Sequence, residues 1–306
     1  MPELPEVETV RRGLVDTIVG RRIDGVAVTG MRTVRRTSAE AVYDGLMGTT
    51  PVAVRRRGKY LTVELDSGYH VMIHLRMSGQ LLWVPADADE PVHTHVAVTF
   101  GGKPARRLLF VDPRTFGEVV VYDPADVAAE IPELHRLGVD PIADVFDRPV
   151  LAAILRHRSR RMKPLLLDQH LIAGIGNIYA DEILHRAGVH PEAISSRLSP
   201  SSVTRLHEAI GTILATAVEH RGSTLADARY VDLFGAPGAY RERHRVYGRA
   251  GERCLTCGRG VIRRLTETGR ATAYCPVCQR RPFKPQRSRA ARVESREPTP
   301  PPTRGA

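Results

Sequence analysis

The chain has 306 residues, 42% of them hydrophobic, which is enough for two ordinary domains with a core each. A formal net charge of +11 favours a polyanionic partner, although solubility alone would also account for it. No apolar run approaches the roughly 18 residues of a membrane span, and no basic-then-apolar leader opens the chain, so a cytosolic protein with no membrane partner is expected.

Residues 5–18 read as a helix, with Val7, Val10, Leu14 and Ile18 on one face and Pro5 suited to its first turn. Strands follow. Leu61, Val63 and Leu65 alternate with polar residues, Asp66-Ser67-Gly68 signals a turn, and Val71, Ile73 and Leu75 resume the alternation. Val96, Val98 and Phe100 repeat it before a Gly101-Gly102 turn, and Val119 and Val121 belong to a further strand. Such short strands suggest a β-sandwich or barrel. Beyond Asp123-Pro124 the spacing becomes helical. Four apolar faces are expected: Leu151 to Leu155, Leu165 to Ile172, Ile178 to Leu184 closed by Gly188, and Val203 to Leu214.

Gly174-Ile-Gly176-Asn177 lies between two of these helices. Tyr179 stands where a dinucleotide fingerprint needs its third glycine, and no strand precedes the run, so that reading fails. A tight reversal remains, with Asn177 as a helix cap. Its free backbone donors and Lys163 would form a phosphate site, or the whole is an ordinary helical hairpin.

The four cysteines fall in two pairs, Cys254-x2-Cys257 and Cys275-x2-Cys278, separated by 17 residues. That is four-thiolate zinc spacing, and a complete shell leaves no position for water, so the ion would be structural. Two disulfides or four unrelated thiols are the alternative. The intervening segment reads as a hairpin whose arginines either reach a DNA groove or merely face solvent. After Cys278 eight Lys or Arg stand against two Glu, so more than half of the excess charge sits in a Pro, Arg and Ser tail that cannot bury a core.

The opening PELPEVETVRRGL, then RRRGKYL, HLRMSG, DPRTFG, GIGNIYADEILHRAGVHP, VYGR and the four cysteines together resemble the formamidopyrimidine-DNA glycosylase family, from Pro2 to about residue 281. The resemblance implies an α+β multidomain protein. A β-sandwich with an N-terminal helix would span residues 1–125, a helix–two-turn–helix domain 126–245, a zinc finger 246–282 and a disordered basic tail 283–306. It implies an enzyme that removes oxidised purines from double-stranded DNA and then cleaves the strand by elimination, as a monomer with one zinc ion and no redox cofactor. Pro2 would be the nucleophile once Met1 is removed, Glu3 the general acid and Glu6 a second carboxylate. Lys59 and Arg270 would complete the catalytic set. Lys163, Asn177 and His74 would contact DNA, while Met77, Arg114 and Phe116 fill the gap left by the extruded nucleotide.

The chemistry suits these residues. An α-amino group with a pKa near 8 is roughly one-tenth neutral at pH 7, against under about 0.1% for an ordinary lysine. A secondary amine still forms an iminium, and Glu3 must be protonated when it acts as acid. The sister branch acting on oxidised pyrimidines and a non-enzymatic lesion binder are the rival readings. A zinc-ribbon transcription factor would leave the amino-terminal motif unexplained. Residues 224–245 depart from the family's usual purine-branch loop, and the tail is longer than usual.

Overall fold

The structure, a computed structural model, describes residues 1–226, 229–267 and 269–281. The expected tail at 283–306 therefore lies outside the described residues. Helix α1 (Leu4–Ile18) is followed by β1 (Ile23–Val28), α2 (Ala39–Leu46), β2 (Pro51–Arg57), β3 (Tyr60–Leu65) and β4 (His70–His74). Next come β5 (Gln80–Pro85), β6 (Thr94–Phe100), β7 (Arg106–Val111) and β8 (Glu118–Tyr122). The strands form two antiparallel four-stranded sheets, ordered β1-β6-β7-β5 and β2-β3-β4-β8. Val63, Val71 and Val121 lie side by side across three strands, and their face meets Val96, Val98 and Phe110 of the other sheet in one core. This is the expected sandwich.

Short helices α3 (Val127–Glu130) and α4 (Pro132–His135) lead to α5 (Arg148–Arg156), α6 (Met162–Leu166), α7 (Asn177–Ala187) and α8 (Pro200–Glu219). A second core gathers Leu151, Leu165, Ile183, Leu206 and Ile210. One expectation fails here. The apolar run from Leu165 to Ile172 is not one helix: α6 stops at Leu166 and the chain turns. The Gln169 side chain holds that turn, donating to the carbonyls of Leu167 and Ile175 and accepting from the Gly174 N–H. Leu171 and Ile172 still meet the helical core, so apolar spacing was met by a turn rather than a helix.

Helix α1 joins both cores. Val7, Val10, Leu14 and Ile18 enter the sandwich, and Leu4 enters the helical core. The segment after α8 returns to the sandwich, where Tyr230 and Leu233 are buried and the Leu233 carbonyl accepts from the Trp83 N–H. Strands β9 (Arg263–Glu267) and β10 (Arg270–Tyr274) form the expected hairpin between the cysteine pairs.

Candidate active site

The amino terminus is built into the seam between the two halves. Pro2 is buried, and the Leu4 N–H donates to the Gly174 carbonyl. The Glu3 carboxylate accepts from the N–H groups of Gly176 (2.8 Å), Ile178 (2.9 Å) and Tyr179 (3.3 Å). It thus sits at the amino end of α7, where unpaired donors and the positive end of the helix dipole stabilise a negative charge. The glycines make room for it. A Cβ at Gly176 would overlap the Glu3 carboxylate, and one at Gly174, whose φ is +95°, would overlap Leu4. This corrects the expected cap: Gly176, not Asn177, occupies the cap position, and a carboxylate from 173 residues away takes three of the donors.

Glu6 lies beside Glu3. It accepts from the Glu3 N–H at 2.8 Å, the Tyr179 hydroxyl at 2.6 Å and the Ser223 N–H at 2.7 Å. Burial pushes its pKa up and the Glu3 charge adds to this, while the three donors oppose it. Burial and Glu6 hold the Tyr179 phenol well above its ordinary value, so it stays protonated and donates. Ser223 passes the chain outward, its hydroxyl 2.9 Å from His244 Nε2. Lys59 is 8% exposed and donates to the Ile175 carbonyl at 3.1 Å. Burial lowers its pKa against the pull of Glu3, and Arg270 lowers it further. Lys59, Glu3, Glu6 and Arg270 therefore share one electrostatic neighbourhood. The sequence alone signals neither Tyr179 nor Ser223.

Two loops rise from the sandwich. Arg76 and Thr115 have positive φ, +51° and +54°, unusual for residues with side chains, and each precedes an exposed apolar residue. Met77 and Phe116 are each 38% exposed, and the Arg114 guanidinium lies 4.9 Å from the Phe116 ring centre. Asp112, fully buried, ties the loops together by accepting from the Ser78 hydroxyl and the N–H groups of Arg114 and Gly117. His74 does not fit the expected DNA contact. It is 6% exposed, packs edge-on to Tyr60, and its Nδ1 accepts from the Arg76 N–H. Burial keeps it neutral, its pKa well below the usual value. It shapes the Met77 loop from beneath. His93, not singled out from sequence, is a third residue of positive φ (+69°), and its carbonyl accepts from the Asp112 N–H.

Lys163 also departs from expectation. It is 1% exposed, its ammonium 2.7 Å from Asp181 and 2.8 Å from the Ala271 carbonyl. Asp181 in turn accepts from the Ala273 N–H. Lys163 thus clamps β10, and with it exposed Arg270, onto α7 rather than facing a phosphate. At the amino end of α7 the Asn177 side-chain Oδ1 is buried and has no hydrogen-bond partner among the described residues. The four cysteines carry free thiols, which removes the disulfide alternative. Their sulfurs all lie within 4.8 Å of one another.

Residues 1–119 match the domain family described as the formamidopyrimidine-DNA glycosylase N-terminal domain, and residues 137–228 match its H2TH domain. The formamidopyrimidine-DNA glycosylase of Pelotomaculum thermopropionicum is 40% identical over 280 residues, covering 92% of this chain and 99% of that one. This chain belongs to the formamidopyrimidine-DNA glycosylase family. The glycosylase of Salinispora arenicola is 44% identical over 285 residues, 92% of this chain and 97% of its own. Among solved structures, the Lactococcus lactis Fpg complexed with DNA containing an abasic site superposes with a TM-score of 0.83 at 36% identity. That match covers 91% of this chain and 100% of the other. The Lactococcus enzyme with Fapy-dG-containing DNA gives 0.81 at 36%, with the same coverage. The glycosylase fold of sandwich, helical domain and cysteine cluster is the one described above.

Proposed function

We propose that this chain is a base-excision repair enzyme, a DNA glycosylase and AP lyase that removes oxidised purines such as 8-oxoguanine and formamidopyrimidines from duplex DNA, acting as a cytosolic monomer. The observation that carries this reading is the burial of Pro2 beside a Glu3 pinned to the amino end of α7. The Lactococcus enzyme, crystallised with Fapy-dG-containing and abasic DNA, supports it.

The duplex is entered by flipping one nucleotide, at a cost of a few kcal/mol. Met77 and Phe116 wedge into the vacated stack and Arg114 faces the orphan base. Asn177 and Arg270 hold phosphates. The Pro2 nitrogen, freed of Met1, attacks the anomeric carbon. A C–N bond forms as the glycosidic bond breaks, and the base leaves with its electron pair. The Glu3 carboxylate takes the proton released from the Pro2 nitrogen and delivers it to the sugar ring oxygen, the ring opens, and an iminium remains on Pro2. Loss of the neighbouring C2′ proton then expels the 3′ phosphate, and loss of the C4′ proton expels the 5′ phosphate. Water hydrolyses the iminium and returns the amine. Lys59, its ammonium destabilised by burial, is placed to exchange protons in these eliminations.

The cysteine module fits one zinc ion. Cys254–Cys278 and Cys257–Cys275 sulfurs are 3.8 Å apart. That is about the edge of a tetrahedron with metal–sulfur bonds near 2.3 Å. The N–H groups of Gly260 and Cys278 point at the sulfurs of Cys257 and Cys275. Four thiolates would close the shell, so the ion supplies rigidity to the Arg270 hairpin and no reaction step.

Borohydride trapping tests the proposal. With Met1 removed, the protein becomes covalently linked to duplex containing 8-oxoguanine, and mass spectrometry places the adduct on Pro2. Retaining a residue before Pro2 abolishes trapping while binding survives. Trapping on thymine glycol but not on 8-oxoguanine would move the chain to the pyrimidine branch. Normal binding with no trapping on any lesion would make it a non-enzymatic binder, and an adduct on Lys59 would refute Pro2 as nucleophile.

A further inference from the structure

A groove of about 680 Å³ lies between the carboxyl end of α7, the outer face of α8 and the first cysteine knuckle, and the catalytic centre does not use it. Ala209 and Ile213 form its apolar floor, and Leu255, 59% exposed, stands on its rim. Arg186, Arg205, Arg243 and Arg245 surround it. Arg205 is held by the Ala187 carbonyl and Ser202, and Arg243 by His220. The guanidinium groups of Arg186 and Arg245 make no ion pair or hydrogen bond among the described residues. Glu182 also lines the groove, but it is 1% exposed and its carboxylate is taken by the N–H groups of Arg245, Val246 and Tyr247. That leaves Glu208 against four arginines. The Tyr240 ring is 2% exposed and lies among the charges of Glu182, Arg186, Arg243 and Arg245. Its hydroxyl makes no hydrogen bond among the described residues.

We propose that this groove docks an acidic peptide segment of a partner protein, in which a few carboxylates flank one apolar side chain. Arg186 and Arg245 receive the carboxylates and the Tyr240 hydroxyl donates to one of them. The apolar side chain settles between Ile213 and Leu255. A nucleic acid would leave that apolar surface unused. The groove also lies at the other end of α7 from Glu3, about 14 Å along the helix from Asn177 at 1.5 Å per residue. A peptide there leaves the lesion-facing side open. The chain's own tail cannot serve, since residues 283–306 carry six Lys or Arg against two Glu.

The test uses the full metal-loaded protein and a fluorescein-labelled nonapeptide of four Asp around one Phe, followed by anisotropy. Saturable binding is expected, weakened at least about tenfold in the Arg186→Gln/Arg245→Gln double variant and falling as salt rises. A peptide with Ala for Phe binds more weakly, which separates docking from diffuse charge attraction. Borohydride trapping on 8-oxoguanine duplex stays unchanged in the double variant, showing an intact fold. Failure of trapping in both proteins would count against Pro2 chemistry and leave the peptide result standing. The proposal is overturned if no saturable binding is seen, or if the double variant binds the peptide as the parent does. It also falls if a single-stranded oligothymidylate, and not the peptide, loses affinity in that variant.

Discussion

Glu3 and Gly176 are far apart in sequence and touch in the fold, and each explains the other. The carboxylate needs three N–H donors in a small arc, and a side chain at 176 would push it away. Gly176→Ala is therefore expected to lower the rate of base removal by about 100-fold, the scale of a misplacement near 1 Å, while duplex affinity changes little. Single-turnover excision compared with equilibrium binding checks this, and an equal loss in both would show a binding defect instead. His244 carries a second consequence. Burial, with Arg241 nearby, lowers its pKa from 6.5 to about 4, and its Nε2 meets the Ser223 hydroxyl. The folded state thus binds its proton later than the unfolded chain does. The stabilisation of the neutral ring is complete above pH 6.5 and is lost as pH falls toward 4. The difference amounts to about 3 kcal/mol. Urea midpoints between pH 7 and 4 should fall, and His244→Asn should remove its share of that slope. A slope equal to the parent's would put the titration elsewhere.

At the scale of elements, the hairpin β9–β10 buries few apolar side chains of its own. It depends on the Lys163–Asp181 clamp and on the cysteine cluster for its position. Stripping the metal with a chelator should expose the thiols to a colorimetric reagent and weaken DNA binding through Arg270. The sandwich should keep its thermal transition, because its core shares no residue with the cluster. A single joint transition for both would contradict that independence. The element pattern also shows what sequence can and cannot disclose. The inward face of α1 and the strands at Leu61–Leu65 and Val71–Ile73 were legible, because local periodicity and burial coincide there. The run Leu165–Ile172 was misread because a turn held by Gln169 can bury leucines as well as a helix can. Lys163 and His74, DNA contacts by resemblance, lie buried, and a motif says nothing of depth. Glu3 as the cap of α7 was out of reach, because nothing local marks a partner so distant in the chain.

At the scale of the whole molecule, one buried cluster joins the halves. Arg56, its side chain 2% exposed, bonds Glu8 of α1 and Asp140 beyond the sandwich, and Asp140 also accepts from the Gly58 N–H. Burial pushes the Glu8 carboxyl up, yet Arg11 and Arg56 hold it down at about 2. Asp140→Asn would leave a buried guanidinium short of charge and should cost about 3–5 kcal/mol. Removing the exposed Arg22–Asp24 pair should cost under about 1 kcal/mol. Denaturant titration of the two variants checks the contrast, and similar losses would mean the cluster is no more than a surface pair. The seam holding Pro2 has a further consequence, one of timing. The opening turn of α1 finds its pocket only when Gly174, Tyr179 and Ser223 have been made, more than 170 residues later in synthesis. Until then the Met1–Pro2 bond is an open peptide that an aminopeptidase can reach. Once the seam closes, Pro2 is buried. On the proposed reading of Pro2 as nucleophile, its release from Met1 is therefore expected to be easier on the nascent chain than after the seam has formed.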